Sequence, residues 1–513
     1  MSNTRLLPVA AGVLLILSCL PLPHTVRDAL GALTLVAIAV AAWDPRVALA
    51  VLIAYLPLRI FVESMAPTPI TFIPDTVVVV LAARVLYRHP DEIMPVDAIE
   101  VLAVLFGLWG LLATVHAHQH LSAAALEARD LLLFVVLYAA VRRLYRVGDG
   151  IDANWWWRIV PLALASIALV GLQGIAQTFL LGHALLLPGK LALQQAHVST
   201  VNTGRPYGWL DNPNLFGELG LVALAITFAL FRRRAYRPGW LFGLAACLFA
   251  AMLVLSFSRS AYIVFLVAAA IFAYGSRARL ERVGIGLAVV VVLASIVVIP
   301  GARARTLGFN TSFLSAHGRL HGKTVTGKGG TAKGGATSHG RTTTKKPKVK
   351  PCRTYVCKSE QAGRLHNLRT ALHIVRHHPL GTGMGTFGSA GAKVFKIKLV
   401  GVPKNFYADN QYLVVLVETG LPGTLLFLLL GVAAFWTLAR RDADPDNRRL
   451  ALILLLAVVI LGAFSNAWEQ LELAVYPWLG LAVLLLPGPS IGQRRAFELP
   501  QAAAALDGNG ITP

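Results

Sequence analysis

Charge is what this chain has least of. Asp, Glu, Lys and Arg make up 14% of its 513 residues and the mean hydropathy is +0.64, whereas soluble domains carry about 25% charged residues. A soluble globular class is excluded on that ground. Acids are scarcer than bases, 25 against 47, and a net charge of +22 would ordinarily suggest a nucleic-acid partner. Its distribution excludes that reading. Residues 301–408 hold 20 Lys/Arg and one acid, Glu360, and therefore +19 of the total. Cysteine is also nearly absent. Cys19 and Cys247 fall in apolar runs and read as small core residues. Cys352 and Cys357 fall in the basic segment, where a local disulfide or two free thiols both remain open. A metal centre would need more ligands than His366 and His373 nearby, so no metal and no cofactor are expected. The N-terminal stretch "RLLPVAAGVLLILSCLPLP" lacks a small-x-small cleavage site before the next apolar run, and so reads as a first span.

What the chain has instead is apolar runs of about 17 to 25 residues, recurring between residues 6 and 487. They predict an all-α, polytopic transmembrane bundle of about 12–14 spans with one large loop. Alternate connections are basic: "WDPR", "LYRHPDE", "RRLYRVGD", "RRRAYRP", "GSRARLERV", "RRDADPDNRR" and "GQRR". The intervening ones, "LPHTVRD", "ESMAPTPITF", "HAHQHLSAAALEA" and "NAWEQLE", are poor in Lys and Arg. The basic set belongs in the cytoplasm, with both termini, in a plasma (inner) membrane protein, and the 301–408 loop falls outside. The organisation is then N-terminal spans over 1–200, spans with outward-facing polar motifs over 201–300, the outer loop over 301–408, C-terminal spans over 409–490 and a cytoplasmic tail over 491–513. Within the loop, 316–358 is basic and too poor in apolar groups to fold. A helix returns after it, with Leu365, Leu368, Leu372 and Val375 on one face and Pro379 as its stop.

Three polar constellations interrupt the apolar pattern on the outer side. In "TGRPYGWLDNPNLFGELG", Asn212 and Pro213 make an N-cap and first-turn pair. The free N–H groups there, with Arg205 and Asn214 close in sequence, suit an anion, and Glu218 lies just inside the span. A purely structural cap with an interfacial arginine is the competing reading. In "LSFSRSAYIV", Arg259 sits between two serines in a tight hairpin, either as a snorkelling side chain or in a polar pocket. "GRLHNLRTALHIVRHHPLGTGMGTFG" carries Arg364 and the Gly381, Gly383, Gly385 run. No strand precedes the run, which disfavours a nucleotide site and suits close backbone approach. Finally, "DNQYLVVLVETGLPGTL" places Asp409, Asn410, Gln411 and Glu418 before a break at Gly420, Pro422 and Gly423. Gln411 and Glu418, seven residues apart, share a helix face, and broken backbone at membrane depth is tolerated only under protein or beside a watery cavity.

In this order, these pieces resemble the O-antigen ligase and O-antigen polymerase superfamily of membrane glycosyltransferases. Asn410, Gly420, Gly423 and Thr424 match the ligase pattern of His, Asn/Ser/Gln, nine residues and G-x-x-G-T-G. The chain departs from it at Asp409, where the pattern has His, and at Leu425, where it has Gly. The resemblance implies transfer or polymerisation of a glycan from an undecaprenyl diphosphate carrier onto a glycan, lipid or cell-wall acceptor, without nucleotide or metal. It assigns Arg259, Arg364 and Asp409 to catalysis. Arg205, Asn212, Asn214, Glu218, Asn410, Gln411 and Glu418 are assigned to substrate binding, with membrane lipids as surroundings. An ordinary Asp titrates near pH 3.9 and is a weak base at neutrality, so a polymerase, or a ligase for another surface glycan, suits Asp409 as well as ligation to lipid A core does. A transporter or flippase for polyprenyl-linked or anionic polymers is the alternative, and a tethering scaffold a third.

The loop asymmetry generates the first test. Reporter fusions at Lys345 and after Arg495 are expected on opposite sides of the membrane; the same side for both removes the outward-facing site.

Overall fold

The computed structural model describes residues 11–15, 17, 23–65, 68–93, 96–147, 151, 153–180, 206–210, 212–233, 239–276, 278–299, 367–388, 392, 394, 395, 397, 399, 408–441 and 443–485. Arg205, Arg364, Cys19, Cys352, Cys357, the basic segment 316–358 and the tail 491–513 lie outside these, and the first predicted span is only partly within them.

The architecture is the predicted helical bundle. Helices run α1 His24–Ala41, α2 Pro45–Tyr55, α3 Arg59–Met65, α4 Ile73–Arg88, α5 Ala98–His116, α6 Leu121–Arg146, α7 Ala153–Phe179, α8 Pro213–Arg233, α9 Gly239–Leu255, α10 Arg259–Gly275 and α11 Arg279–Val298. They continue with α12 (367–377), α13 Gln411–Arg440, α14 Pro445–Gly462 and α15 Leu471–Leu479. Among the described residues there is no strand. Among the described residues, eight helical stretches are long and apolar enough to cross a bilayer, and three shorter apolar ones accompany them.

Local chemistry sets the helix ends. Asp44, Asp97, Asn410 and Asp444 each cap a helix by accepting a first-turn N–H with the side chain, at 2.9 to 3.1 Å. Arginines close α4, α6, α8 and α13, where a helix C-terminus favours cations. Acids at the starts of other helices meet those of α6 and α8. Arg142 pairs with Asp97, Arg143 grips Glu100 at 2.6 Å, Arg232 reaches Glu281 and Asp446, and Arg233 pairs with Asp444. The basic connections thus gather at one end of the bundle, and the polar motifs fall at the other.

Packing places α8 at the centre, with most of its span buried, while α11 lies at the edge. Gly220 lets α9 approach: a Cβ there would stand 2.8 Å from Met252 Cβ and 3.0 Å from the Phe249 carbonyl. Small residues at such crossings permit backbone contact that replaces the missing hydrophobic drive between helices in lipid. Cys247, expected in the core, is exposed on α9 instead, because that helix turns its other side to α8. A second, smaller cluster lies outside the main core. There α12 docks Ala371, Ile374 and Val375 against Val414, Val417 and Ala408. The docking face is therefore not the Leu368/Leu372 face, which stays exposed. The small Ala371 allows close contact with the start of α13.

Gly220→Val is expected to overpack the α8–α9 contact by about 1–3 kcal/mol. A lowered thermal midpoint in detergent, with Gly243→Val (open space around its Cβ position) as the neutral control, checks this.

Candidate functional site

The thirty residues of α13 are helical throughout except at Gly420, where φ is 66° and ψ −166°. That conformation is open to glycine almost alone. The break frees carbonyls just before it, and Pro422 supplies no N–H after it. The segment 378–388 satisfies them. Thr382 N–H donates to the Val417 carbonyl at 2.9 Å, and Gly383 N–H to the Glu418 carbonyl at 3.0 Å. Trp109 Nε1 donates to the Thr419 carbonyl at 2.7 Å, and Leu421 N–H to the Pro379 carbonyl at 3.0 Å. A Cβ on Gly381 or Gly420 would run into the backbone of the other segment. The glycines therefore serve close backbone approach.

The Glu418 side chain completes the joint. Its carboxylate accepts the N–H groups of Gly385, Thr386 and Phe387 at 2.7, 2.9 and 2.7 Å, and the residue is 1% exposed. Met384 N–H donates to Thr114 Oγ1 at 2.9 Å, and its side chain packs where a Cβ on Gly110 would stand. Glu418 thus anchors a loop and is turned away from any vestibule. The loop's other side walls a cleft of about 510 Å3, lined by His116, Gln119, His377, His378 and the backbone of 379–382.

The remaining candidates fall into two neighbourhoods. Asn212 accepts Leu215 N–H at 2.8 Å and opens α8, Asn214 is half-buried in the first turn, and Glu218 is fully buried. Ser256 of the second motif packs on Gly217, which brings the α9–α10 hairpin against the start of α8. In that hairpin Ser258 caps α10 and shares a 2.9 Å bond with Ser260, while Arg259 is exposed. Among the described residues Arg259 has no ion-pair partner. Asp409 is exposed with φ 48°, and Asn410 caps α13 while its Nδ2 donates to the Ala463 carbonyl at 3.0 Å. Gln411 is buried and donates to Glu469 at 2.8 Å.

The 463–472 segment bridges these neighbourhoods. Glu469 holds the start of α13, and Glu472 pairs with Arg59, which also reaches Glu63. On the same short helix, Phe61 stacks on Trp209 of the first motif at 4.2 Å. Glu127, Asp130, Glu469, Glu472 and Arg59 escaped the sequence analysis, in which the first, third and fourth fall in connections poor in Lys and Arg and the other two in apolar runs. The available signal was the carboxylates themselves, costly in apolar helices unless used.

Comparison with known proteins follows the same outline. Residues 244–428 match the model of the O-Antigen ligase family. The match takes in the α9–α10 hairpin, the 378–388 loop and the α13 break, and supports the resemblance to the O-antigen ligase and polymerase superfamily. Among curated proteins no match is found. The chain is a multi-pass helical membrane protein carrying this ligase-type region.

Glu418→Gln sets an NH2 group against backbone donors, and each orphaned buried N–H costs about 1–3 kcal/mol. The expected result is faster hydrogen exchange over 379–388 than in the unaltered protein, with the bundle otherwise folded. Unchanged protection there would mean that the carboxylate does not hold the loop.

Proposed function

We propose that the chain is a membrane glycosyltransferase of the O-antigen ligase/polymerase type. It moves an undecaprenyl-diphosphate-linked glycan onto an acceptor hydroxyl at the outer face of the plasma membrane. The observation that carries this reading is Arg259. A guanidinium at the first position of a helix sits against the positive end of the helix dipole, and among the described residues it has no ion-pair partner, whereas Arg142, Arg143, Arg232 and Arg233 at the opposite end pair with acids. An unpaired cation at a helix N-terminus is suited to a phosphate-bearing ligand. The family match over the same hairpin supports a lipid-linked glycan as that ligand.

The chemistry follows from the donor. The acceptor oxygen attacks the anomeric carbon, the bond to the diphosphate oxygen breaks, and the leaving group departs with the electron pair. Stabilising the charge that develops there is often the largest catalytic contribution. Arg259 supplies it in this reading, together with Arg205 and Arg364. The donor already carries a competent leaving group, so the scheme calls for neither nucleotide nor metal. The basic connections at the far end support a cytoplasmic assignment for that end.

Purified protein given a lipid-linked glycan and an acceptor should form the glycosidic product. Arg259→Ala should lower the rate by about two to three orders of magnitude, as loss of one oxyanion donor does, and Lys should restore it only partly. Asp409→Asn should give a mild defect and Asp409→His should retain activity. Normal turnover by Arg259→Ala in a folded protein would remove the assignment; vectorial movement of the intact lipid-linked glycan without product would favour a flippase.

A further inference from the structure

The scheme above needs a group to take the acceptor's proton. Beside the first turn of α13 the structure holds a set of acceptors with too few donors. Glu127, near the start of α6, is fully buried, and among the described residues no donor reaches either of its carboxylate oxygens. What faces it is a second carboxyl, that of Glu469, within hydrogen-bonding reach. Glu469 lies in the connection between α14 and α15 and is half-buried. Gln411 Nε2 donates to one of its oxygens at 2.8 Å and Asn466 Nδ2 approaches the other at 3.4 Å. The amide oxygens of Gln411 and Asn466, both on fully buried residues, find no donor either.

An ionised carboxylate only accepts hydrogen bonds. Two of them cannot face each other in a dry place unless a proton lies between, and like charges sharing a site push one ionisation up strongly. The surroundings sharpen this. Asp130 of α6 and Glu418 of α13 add negative charge, Glu418 being occupied by the loop. The nearest cations are committed elsewhere: Arg129 to Asp75 and Asp130 at 2.6 and 2.7 Å, Arg59 to Glu63 and Glu472 at 3.1 and 3.3 Å. Among the described residues no three His, Cys, Asp or Glu side chains are placed to hold a metal ion. A proton is the ligand that fits. Burial pushes the Glu469 carboxyl up to about 7, with Asp130 raising it further and the hydrogen bonds of Gln411, Glu127 and Asn466 holding it down. A base of that strength is matched to neutral pH.

We propose that Glu127 and Glu469 share one proton, and that the pair, through Glu469, removes the proton of the acceptor hydroxyl. The proposal rests on the glycosyl-transfer reading. The pair begins with one proton and one negative charge. As the acceptor oxygen bonds to the anomeric carbon, its proton passes to Glu469 and the pair becomes neutral. The carbon–oxygen bond to the diphosphate breaks with its electrons on the phosphate, and the pair then returns the proton to water. Glu469, half-buried and bonded to Gln411 in the first turn of α13, touches the acceptor; Glu127 is a positioning residue that stores the shared proton.

The test uses the full chain in lipid nanodiscs, by infrared spectroscopy and by transfer from a lipid-linked glycan. About two pH units above neutrality the unaltered protein should retain a protonated-carboxyl band that disappears in both Glu127→Gln and Glu469→Gln. Glu469→Gln should lose at least about 100-fold in kcat, with KM for the donor unchanged, and Glu127→Gln about tenfold. No such band in the unaltered protein overturns the pair, whether or not the variants fold. Turnover by Glu469→Gln within threefold of the unaltered protein overturns its role as base and leaves the transfer reading intact. Failure of the unaltered protein to transfer glycan overturns that reading, while the band still decides whether the proton is shared.

Discussion

The joint between two broken backbones governs the site end of this protein. Glycine at 420 interrupts a membrane-length helix, and the glycines of 381–385 bend a loop until its N–H groups point at the break. Neither distortion would survive alone, since each leaves polar backbone in a place with no water to satisfy it. Together they close the account of donors and acceptors, and the Glu418 carboxylate locks the arrangement with three further bonds. The start of α13, the cleft wall and the cap at Asn410 all take their positions from that joint.

A division of labour among carboxylates follows. Glu418 is surrounded by donors and belongs to the scaffold. Glu472 faces Arg59 and belongs to an ion pair. Glu127 and Glu469 face each other, and only their surroundings leave a proton with somewhere to go. Side chains of one chemical type thus acquire separate duties from what lies opposite them. Arg259 makes the same point with opposite sign. Arg142, Arg143, Arg232 and Arg233 at the far end are held by acids, whereas the exposed hairpin arginine has no ion-pair partner among the described residues.

The spans, the break at Gly420 and the cap at Asn212 could be read from the chain because each is decided within a few neighbouring residues. The glycine run was legible as close backbone approach, but its partner was not. Glu418 lies over thirty residues from the N–H groups it accepts, and no local pattern marks such a pairing. The α12 face was misjudged for a related reason. Helical periodicity shows that a stripe exists, while the surface it meets, here Val414 and Val417, selects Ala371 over the larger Leu368 and Leu372. The Glu127–Glu469 contact joins two stretches that read separately as unremarkable connections, and only the bundle's topology brings them together.

The boundary of the family match has a consequence for how such a chain can be divided. Thr114, Gly110, Trp109 and Ala123 receive the glycine loop and the broken helix, yet all four precede the matched segment 244–428. The ligase-type region therefore carries only one half of its own socket. A fragment cut at the match would expose unpaired carbonyls to lipid, and a chimera joining this C-terminal part to another protein's N-terminal helices would function only if those helices brought a matching indole, hydroxyl and glycine. Inheritance of the motif and inheritance of its receptor surface are tied, although they are written at opposite ends of the chain.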